Sequence, residues 1–233
     1  MTAILEARGV RKVYRGDTEE PVEALQHVDL AVARGEVVAV VGASGAGKST
    51  LLHLLGALDE PTAGEILLDG VAYGALTEAE KDRLRNRRLG FVFQFHHLLR
   101  EFTALENVMM PLLIAGWPRQ RAASRAAELL AAVGLAGRLS HRPAQLSGGE
   151  QQRCAVARAL VHDPQVLLAD EPSGNLDYAH SGLLHELLLN LVRTLETALV
   201  VVTHNRLLAE RADRILLLEN GRLHPVRTAE AVF

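Results

Sequence analysis

Gly42–Thr50 reads GASGAGKST, between the apolar run Val37–Val41 and the leucine-rich stretch Leu51–Leu58. That order predicts a strand, a glycine-rich turn and a helix. The pattern GxxxxGK[ST] falls on Gly42, Gly47, Lys48 and Ser49, the spacing of a phosphate-binding loop. Glycines let the backbone wrap closely enough for successive N–H groups to point at one anion. The new helix aims its positive end at the same anion. Ala43, Ser44, Gly45, Ala46 and Thr50 complete the cradle. Lys48 would reach the β- and γ-phosphates of a nucleotide, and the Ser49 hydroxyl would hold Mg²⁺.

The bulk composition bounds what such a loop can serve. A chain of 233 residues suffices for one α/β core, with room for subdomains. Its 48% hydrophobic and 23% charged residues are ordinary for a globular protein. A net charge of −3 leaves no electrostatic footprint for nucleic acid. Cys154 is the only cysteine, which excludes an intrachain disulfide and predicts a reducing compartment. Met1–Arg15 lacks the charged-then-apolar order of a secretory leader. Ala198–Val202 and Ile215–Leu218 are strand-sized and too short to span a membrane. A cytosolic chain is expected, reaching a membrane only through a partner.

Before the loop, residues 1–35 alternate apolar and polar around a break at Arg15–Pro21, which predicts antiparallel strands joined by a polar loop. Tyr14 is either a base-stacking aromatic or an ordinary strand aromatic. Beyond the loop helix, Pro61–Gly64 reads as a turn and Glu65–Leu68 as a strand closed by Asp69-Gly70. Thr77-Glu78-Ala79-Glu80 has capping-box form and opens a charged helix to about Arg88. Phe91–Phe93 reads as a short buried strand ending at Gln94. Phe95–Trp117 is then rich in aromatic, His and Met residues, and reads as core or as a docking surface. Pro118–Val133 is an Ala-rich amphipathic helix with Leu129, Leu130 and Val133 on its apolar side, and Gly134–Gln145 a loop. An inserted helical subdomain is expected at 95–160. The last third alternates: strand Val166–Ala169, helix Asp177–Glu196, strand Ala198–Thr203, helix Arg206–Ala212 and strand Arg214–Glu219. Such alternation predicts a largely parallel sheet with helices on its faces. Asn220-Gly221 marks a hairpin turn into Arg222–His224.

Two further stretches carry chemistry. Asp170 and Glu171 follow the apolar run Val166–Ala169, at the strand end where α/β sheets bind ligands. Asp170 suits holding Mg²⁺, and Glu171 suits polarising an attacking water. Leu146–Arg153 reads LSGGEQQR. Ser147 and Glu150 fit a capping box. That leaves Gly148-Gly149, which weaken a first helical turn by about 1 kcal/mol each relative to alanine. Paired glycines there suit a close approach to an anion. Since one loop already cradles phosphates, the anion would be the γ-phosphate of a nucleotide bound elsewhere. Cys154, within the same helix, reads as a small buried residue.

With these motifs in hand, the chain resembles an ATP-binding-cassette (ABC) ATPase over nearly its full length. The resemblance implies a P-loop, RecA-like α/β core with an antiparallel β subdomain and an inserted α-helical subdomain. It treats 1–233 as one nucleotide-binding domain, with 1–94 and 161–233 as ATPase core and 95–160 as the helical subdomain. Tyr14 matches the adenine-stacking aromatic, Gly42–Thr50 the Walker A loop and Gln94 the Q-loop glutamine. Leu146–Arg153 matches the signature and Val166–Glu171 Walker B with its catalytic glutamate. Ser173, Gly174, Asn175, Leu176 and Asp177 match the D-loop, and His204 the switch histidine.

The resemblance implies ATP and Mg²⁺ as cofactors. Lys48, Glu171 and His204 would be catalytic, and Ser49, Gln94 and Asp170 would serve the metal. It also implies a head-to-tail homodimer in which Ser147, Gly148, Gly149 and Gln151 of one subunit cap ATP held by the other. Such a dimer closes on ATP and opens after hydrolysis.

Within the family, GFVFQFHHLLREFTALENVMMPLLIAG (Gly90–Gly116) resembles ATPases of bacterial lipoprotein-releasing transporters. Macrolide or peptide exporters and cell-division regulators that signal without transport are the related alternatives. This branch implies a peripheral protein at the cytoplasmic face of the inner membrane. It would assemble with integral membrane subunits, which alone reach the lipoprotein cargo, and would have no nucleic-acid partner. Phe95, His96, Leu98, Leu99 and Leu112 are expected to line the groove for those subunits. Three residues depart from the common pattern: Arg100 for proline, Ser173 for threonine and Asn205 for aspartate.

Overall fold

The computed structural model describes residues 3–15 and 20–228. The loop expected at Arg15–Pro21 lies, at residues 16–19, outside them, as do residues 229–233. In chain order the elements are β1 (Ala3–Tyr14), β2 (Val22–Ala33), β3 (Val37–Val41), α1 (Lys48–Leu55), β4 (Ala63–Leu68), β5 (Val71–Ala72), α2 (Glu78–Arg88) and β6 (Leu89–Val92). There follow α3 (Ala104–Ile114), α4 (Arg119–Ala132), α5 (Gly148–Leu160), β7 (Val166–Asp170), α6 (Tyr178–Thr194), β8 (Ala198–Val202), α7 (Arg206–Ala209), β9 (Arg214–Glu219) and β10 (Arg222–Val226). The chain divides into two compact units.

The first unit holds the described residues up to Lys81, Leu168–Asp170, and those from Ala198 onward. Its strand order is β5-β4-β1-β2-β10-β9-β3-β8, with the end of β7 after β8. β3 runs parallel to both β8 and β9. Every residue of β3 and β8 is buried, which is why both read as unbroken apolar runs rather than alternating ones. The antiparallel strands β1 and β2 form the expected pair, with register shifts along it. Asn220 (φ 48°) and Gly221 (φ 70°) make the turn that returns β10 against β9, and positive φ at both central residues is what that hairpin type requires. Pro225 is tolerated in β10 because that strand pairs with β2 only at Arg222.

The second unit holds Asp82–Leu167 and Glu171–Thr197. Helices α3, α4 and α5 pack on one another in it. Ala104, Val108 and Leu112 of α3 are buried, as are Ala122, Ala126 and Leu130 of α4, the four-residue spacing of one helix face. Thr103 caps α3 in a reciprocal capping box with Glu106. Cys154 is buried in α5 with its thiol toward the Ala104 carbonyl. Burial pushes that thiol up to about 12, which removes thiolate chemistry and agrees with a packing role.

Element boundaries differ modestly from the sequence reading. β4 begins at Ala63, inside the expected turn, and α7 ends at Ala209 rather than Ala212. The stretch 134–145 contains two short 3₁₀ turns, at 136–138 and 143–145.

Candidate functional site

In the first unit, β3 delivers the chain into Gly42–Gly47 and α1 carries it away. Gly42 (φ 150°) and Gly47 (φ 100°) lie in backbone regions that suit glycine. A Cβ on Gly42 would stand 2.4 Å from the Leu218 carbonyl oxygen, and one on Gly47 2.6 Å from that of Ala24. Neither neighbour is a side chain that can swing aside. Ala43, Ser44 and Gly45 are exposed, leaving the concave face of the loop open. Lys48 donates to the carbonyls of Gly42 (2.8 Å) and Ala43 (2.9 Å), which holds the ammonium across the loop. Ser49 donates its hydroxyl to Asp170 at 2.8 Å, joining residues 121 apart in sequence.

Two further sequence-predicted site residues belong to this unit. Tyr14 is 41% exposed and its hydroxyl donates to Asp59 at 3.0 Å. The Lys12 ammonium lies 4.9 Å from its ring centroid and also bonds Asp59 at 2.6 Å. The ring is thus oriented while keeping accessible surface. His204 is exposed, two residues after the buried end of β8. The next residue, Asn205, caps α7 by accepting from the Leu208 N–H at 3.1 Å, the service an aspartate would give.

The second unit carries the remaining predicted residues. Glu171 has φ 45°, a left-handed conformation that costs a non-glycine residue free energy and is held only when its surroundings demand it. That turn takes the chain out of β7 into Pro172. Gln94 and Asn175 bind each other: Gln94 Nε2 donates to Asn175 Oδ1 at 3.3 Å, and Asn175 Nδ2 donates to the Gln94 carbonyl at 2.9 Å. Gly174 lies directly against the Gln94 side chain. Leu176 closes the turn onto Ser173, and Asp177 caps α6 by accepting from His180.

Leu146–Arg153 forms the start of α5. Ser147 Oγ accepts from the Glu150 N–H (3.2 Å), and the Glu150 carboxylate accepts from the Ser147 N–H (2.8 Å). With Arg138 adding a charged bond at 2.9 Å, the Ser147 N–H and then Arg138 hold the Glu150 carboxyl down at about 2. Gln151 donates to the Leu146 carbonyl. Gly148 is exposed, and a Cβ added there would meet nothing within 4 Å among the described residues. Nothing among the described residues calls for that glycine.

The expected docking residues divide. Phe95 is 65% exposed and Leu99 40%; His96 and Leu98 are half-buried. Leu112 is a correction, being completely buried. It sits one turn after Val108 on the inward face of α3, so it builds the core and cannot meet a partner. The composition of Phe95–Trp117 mixed two roles, because α3 is largely apolar and only contacts tell its faces apart.

Sequence reasoning missed two buried amides. Asn107 donates to the carbonyls of Leu99, Phe102 and Thr103, and accepts from the Leu99 N–H. Gln152 is 1% exposed and donates to the carbonyls of Phe93 and Pro172. A signal existed for Gln152, which shares a helix face with Ala155 and Val156 and is polar where the stripe is apolar. Among the described residues, no cluster of His, Cys, Asp or Glu could hold a metal alone, and no helix is long and apolar enough to cross a membrane.

Comparison with known proteins is specific. Residues 25–174 match the family described as ABC transporter. The lipoprotein-releasing system ATP-binding protein LolD of Xanthomonas axonopodis pv. citri is 56% identical over 223 residues, covering 95% of this chain and 91% of that protein. LolD of Legionella pneumophila is 54% identical, covering 95% and 97%. Among solved structures, the dimeric post-hydrolysis state of the ATP-binding cassette MJ0796 with ADP and Pi has a TM-score of 0.86. It is 38% identical, with 94% of this chain and 96% of that chain covered.

Proposed function

The chain belongs to the ABC transporter family, and from that premise we propose that this ATPase drives release of lipoproteins from the bacterial inner membrane towards the outer membrane. It would work as a homodimer at the cytoplasmic face, bound to integral membrane subunits that alone touch the cargo. Support for the cargo comes from relatives named for lipoprotein release that align with nearly the whole chain. Support for a docking role of Phe95–Leu99 comes from the exposure of Phe95 and Leu99. We retain one nucleotide-binding domain, with 95–160 as its helical subdomain.

The observation that carries the ATPase site is the Ser49–Asp170 hydrogen bond beside a loop whose Gly42 and Gly47 admit no side chain. The loop's N–H groups and the α1 N-terminus would take the phosphates. Lys48 is positioned to exchange its carbonyl partners for phosphate oxygens. A hydroxyl and a carboxylate 2.8 Å apart are the hard oxygen donors that Mg²⁺ takes. When bound there by Ser49 and Asp170, Mg²⁺ would neutralise charge on the β- and γ-phosphate oxygens.

Glu171 would orient the attacking water and accept its proton, with His204 bracing the γ-phosphate and Gln94 sensing it. Tyr14 would stack on the adenine. Ser147, Gly148, Gly149 and Gln151 would cap the nucleotide of the second copy. The exposure of Gly148, with no demand for it among the described residues, suits that external use. Residues 173–177 would lie at the dimer contact.

The test is to purify the Glu171→Gln protein with ATP from detergent-solubilised membranes and identify what accompanies it by mass spectrometry. Paired transmembrane subunits carrying lipoprotein are expected. A single division-type membrane protein without cargo would contradict the transport reading.

A further inference from the structure

Gln152 and His96 form a hydrogen-bonded bridge that the proposed roles do not use. The Gln152 amide spends one N–H on the Phe93 carbonyl at 3.1 Å and the other on the Pro172 carbonyl at 2.6 Å. Both donors being spent, Oε1 is left to accept, and it faces His96 Nδ1 at 2.5 Å. The ring therefore carries its proton on Nδ1. A fully used, buried amide of this kind fixes all three partners, because losing any one strands a polar atom away from water. Two of those partners flank functional positions: Phe93 precedes Gln94, and Pro172 follows Glu171. The third, His96, follows the exposed Phe95. Arg158, on the same helix, pins the segment further by donating to the carbonyls of His96 (2.9 Å) and His97 (2.7 Å).

We propose that Gln152 is a positioning residue for hydrolysis, and that its bond from His96 ties the setting of the Glu171–Pro172 turn to the exposed segment Phe95–Leu99. This rests on the reading of Glu171 as the catalytic base. A displacement of the segment is felt at the His96 ring, passes to one rigid amide, and reaches the Pro172 carbonyl beside the strained Glu171 backbone. Glutamate at 152 keeps the shape but replaces both donors with an acceptor facing carbonyls. Asparagine at 96 puts a donor where Nδ1 stands, whereas phenylalanine keeps the ring and loses the donor.

The experiment measures kcat and KM for ATP in the full chain carrying Gln152→Glu, His96→Phe, His96→Asn or the Gln152→Glu/His96→Phe pair, with melting temperatures recorded. Expected are a fall of about tenfold in kcat for Gln152→Glu and about threefold for His96→Phe, sizes of one lost buried hydrogen bond. KM should stay within about twofold. His96→Asn should recover wild-type kcat, and the double variant should be no worse than Gln152→Glu. Wild-type kcat in His96→Phe, equal loss in His96→Asn, additive losses, or a rise in KM alone would overturn the proposal. Should Gln152→Glu fail to fold, the His96 pair decides the matter. Glu171→Gln serves as the control. If it hydrolyses ATP normally, the reading beneath the proposal fails; if it is inactive while the bridge variants are normal, the bridge alone fails.

Discussion

Two glycine pairs, Gly42 with Gly47 and Gly148 with Gly149, each lead into a helix whose N-terminus we propose to serve a phosphate. Their surroundings differ. The first pair is demanded by the chain itself, since a Cβ would strike backbone oxygens at 2.4 and 2.6 Å. At the second pair, a Cβ on Gly148 meets open space, and one on Gly149 makes only ordinary contacts of 3.8 Å or more. A glycine that the fold needs and one that it merely tolerates at a cost in helix stability serve different customers. The first shapes a site within one copy of the chain. The second, in the proposed reading, keeps clear a surface for a second copy of the chain.

The contrast can be broken experimentally. Gly47→Ala should have the largest effect: loss of ATP binding and destabilisation of about 2–4 kcal/mol, from strain at φ 100° plus the clash with Ala24. Denaturant unfolding with an ATP titration checks both. Gly148→Ala should do the reverse to the isolated chain, stabilising it by up to about 1 kcal/mol through better helix propensity and leaving nucleotide binding intact, yet lowering ATP-dependent dimer formation. If Gly148→Ala dimerises normally, the outward role of that glycine is wrong.

A smaller effect sharpens the second site. The Glu150 carboxyl is held down at about 2 from an ordinary 4.5. The ion pair and cap therefore contribute fully above pH 4.5, and the contribution fades as pH falls towards 2. The stability difference between the wild type and Glu150→Gln should be constant above that window and shrink within it, measured by urea unfolding across the range. A difference that grows on acidification would mean that the Ser147 N–H and Arg138 bonds do not hold the carboxylate.

Much of this was legible in the residues, for a physical reason. A phosphate loop is made by backbone, and backbone geometry leaves glycine at fixed spacing. Buried parallel strands such as β3 and β8 leave unbroken apolar runs. The N-cap at Ser147 leaves a short polar signal before its helix. The Ser49–Asp170 bond was readable only as two separate motifs, since nothing local in sequence measures a contact over 121 residues. Side-chain amides were harder to find. Asn107 and Gln152 sit on helices where a polar residue usually faces water; Gln152 does interrupt an apolar stripe, but only the packing shows which groups each amide engages. Leu112 failed in the opposite sense, because an apolar residue on an apolar helix does not declare which face it joins.

The most direct test of the two-site account is the mass in solution of the Glu171→Gln chain, by light scattering, with and without ATP. The account predicts doubling from 25.3 kDa when ATP is added, no doubling when Gly148→Ala is combined with it, and negligible turnover throughout. A chain that saturates with ATP, stays at the single-chain mass and hydrolyses at the wild-type rate would contradict it.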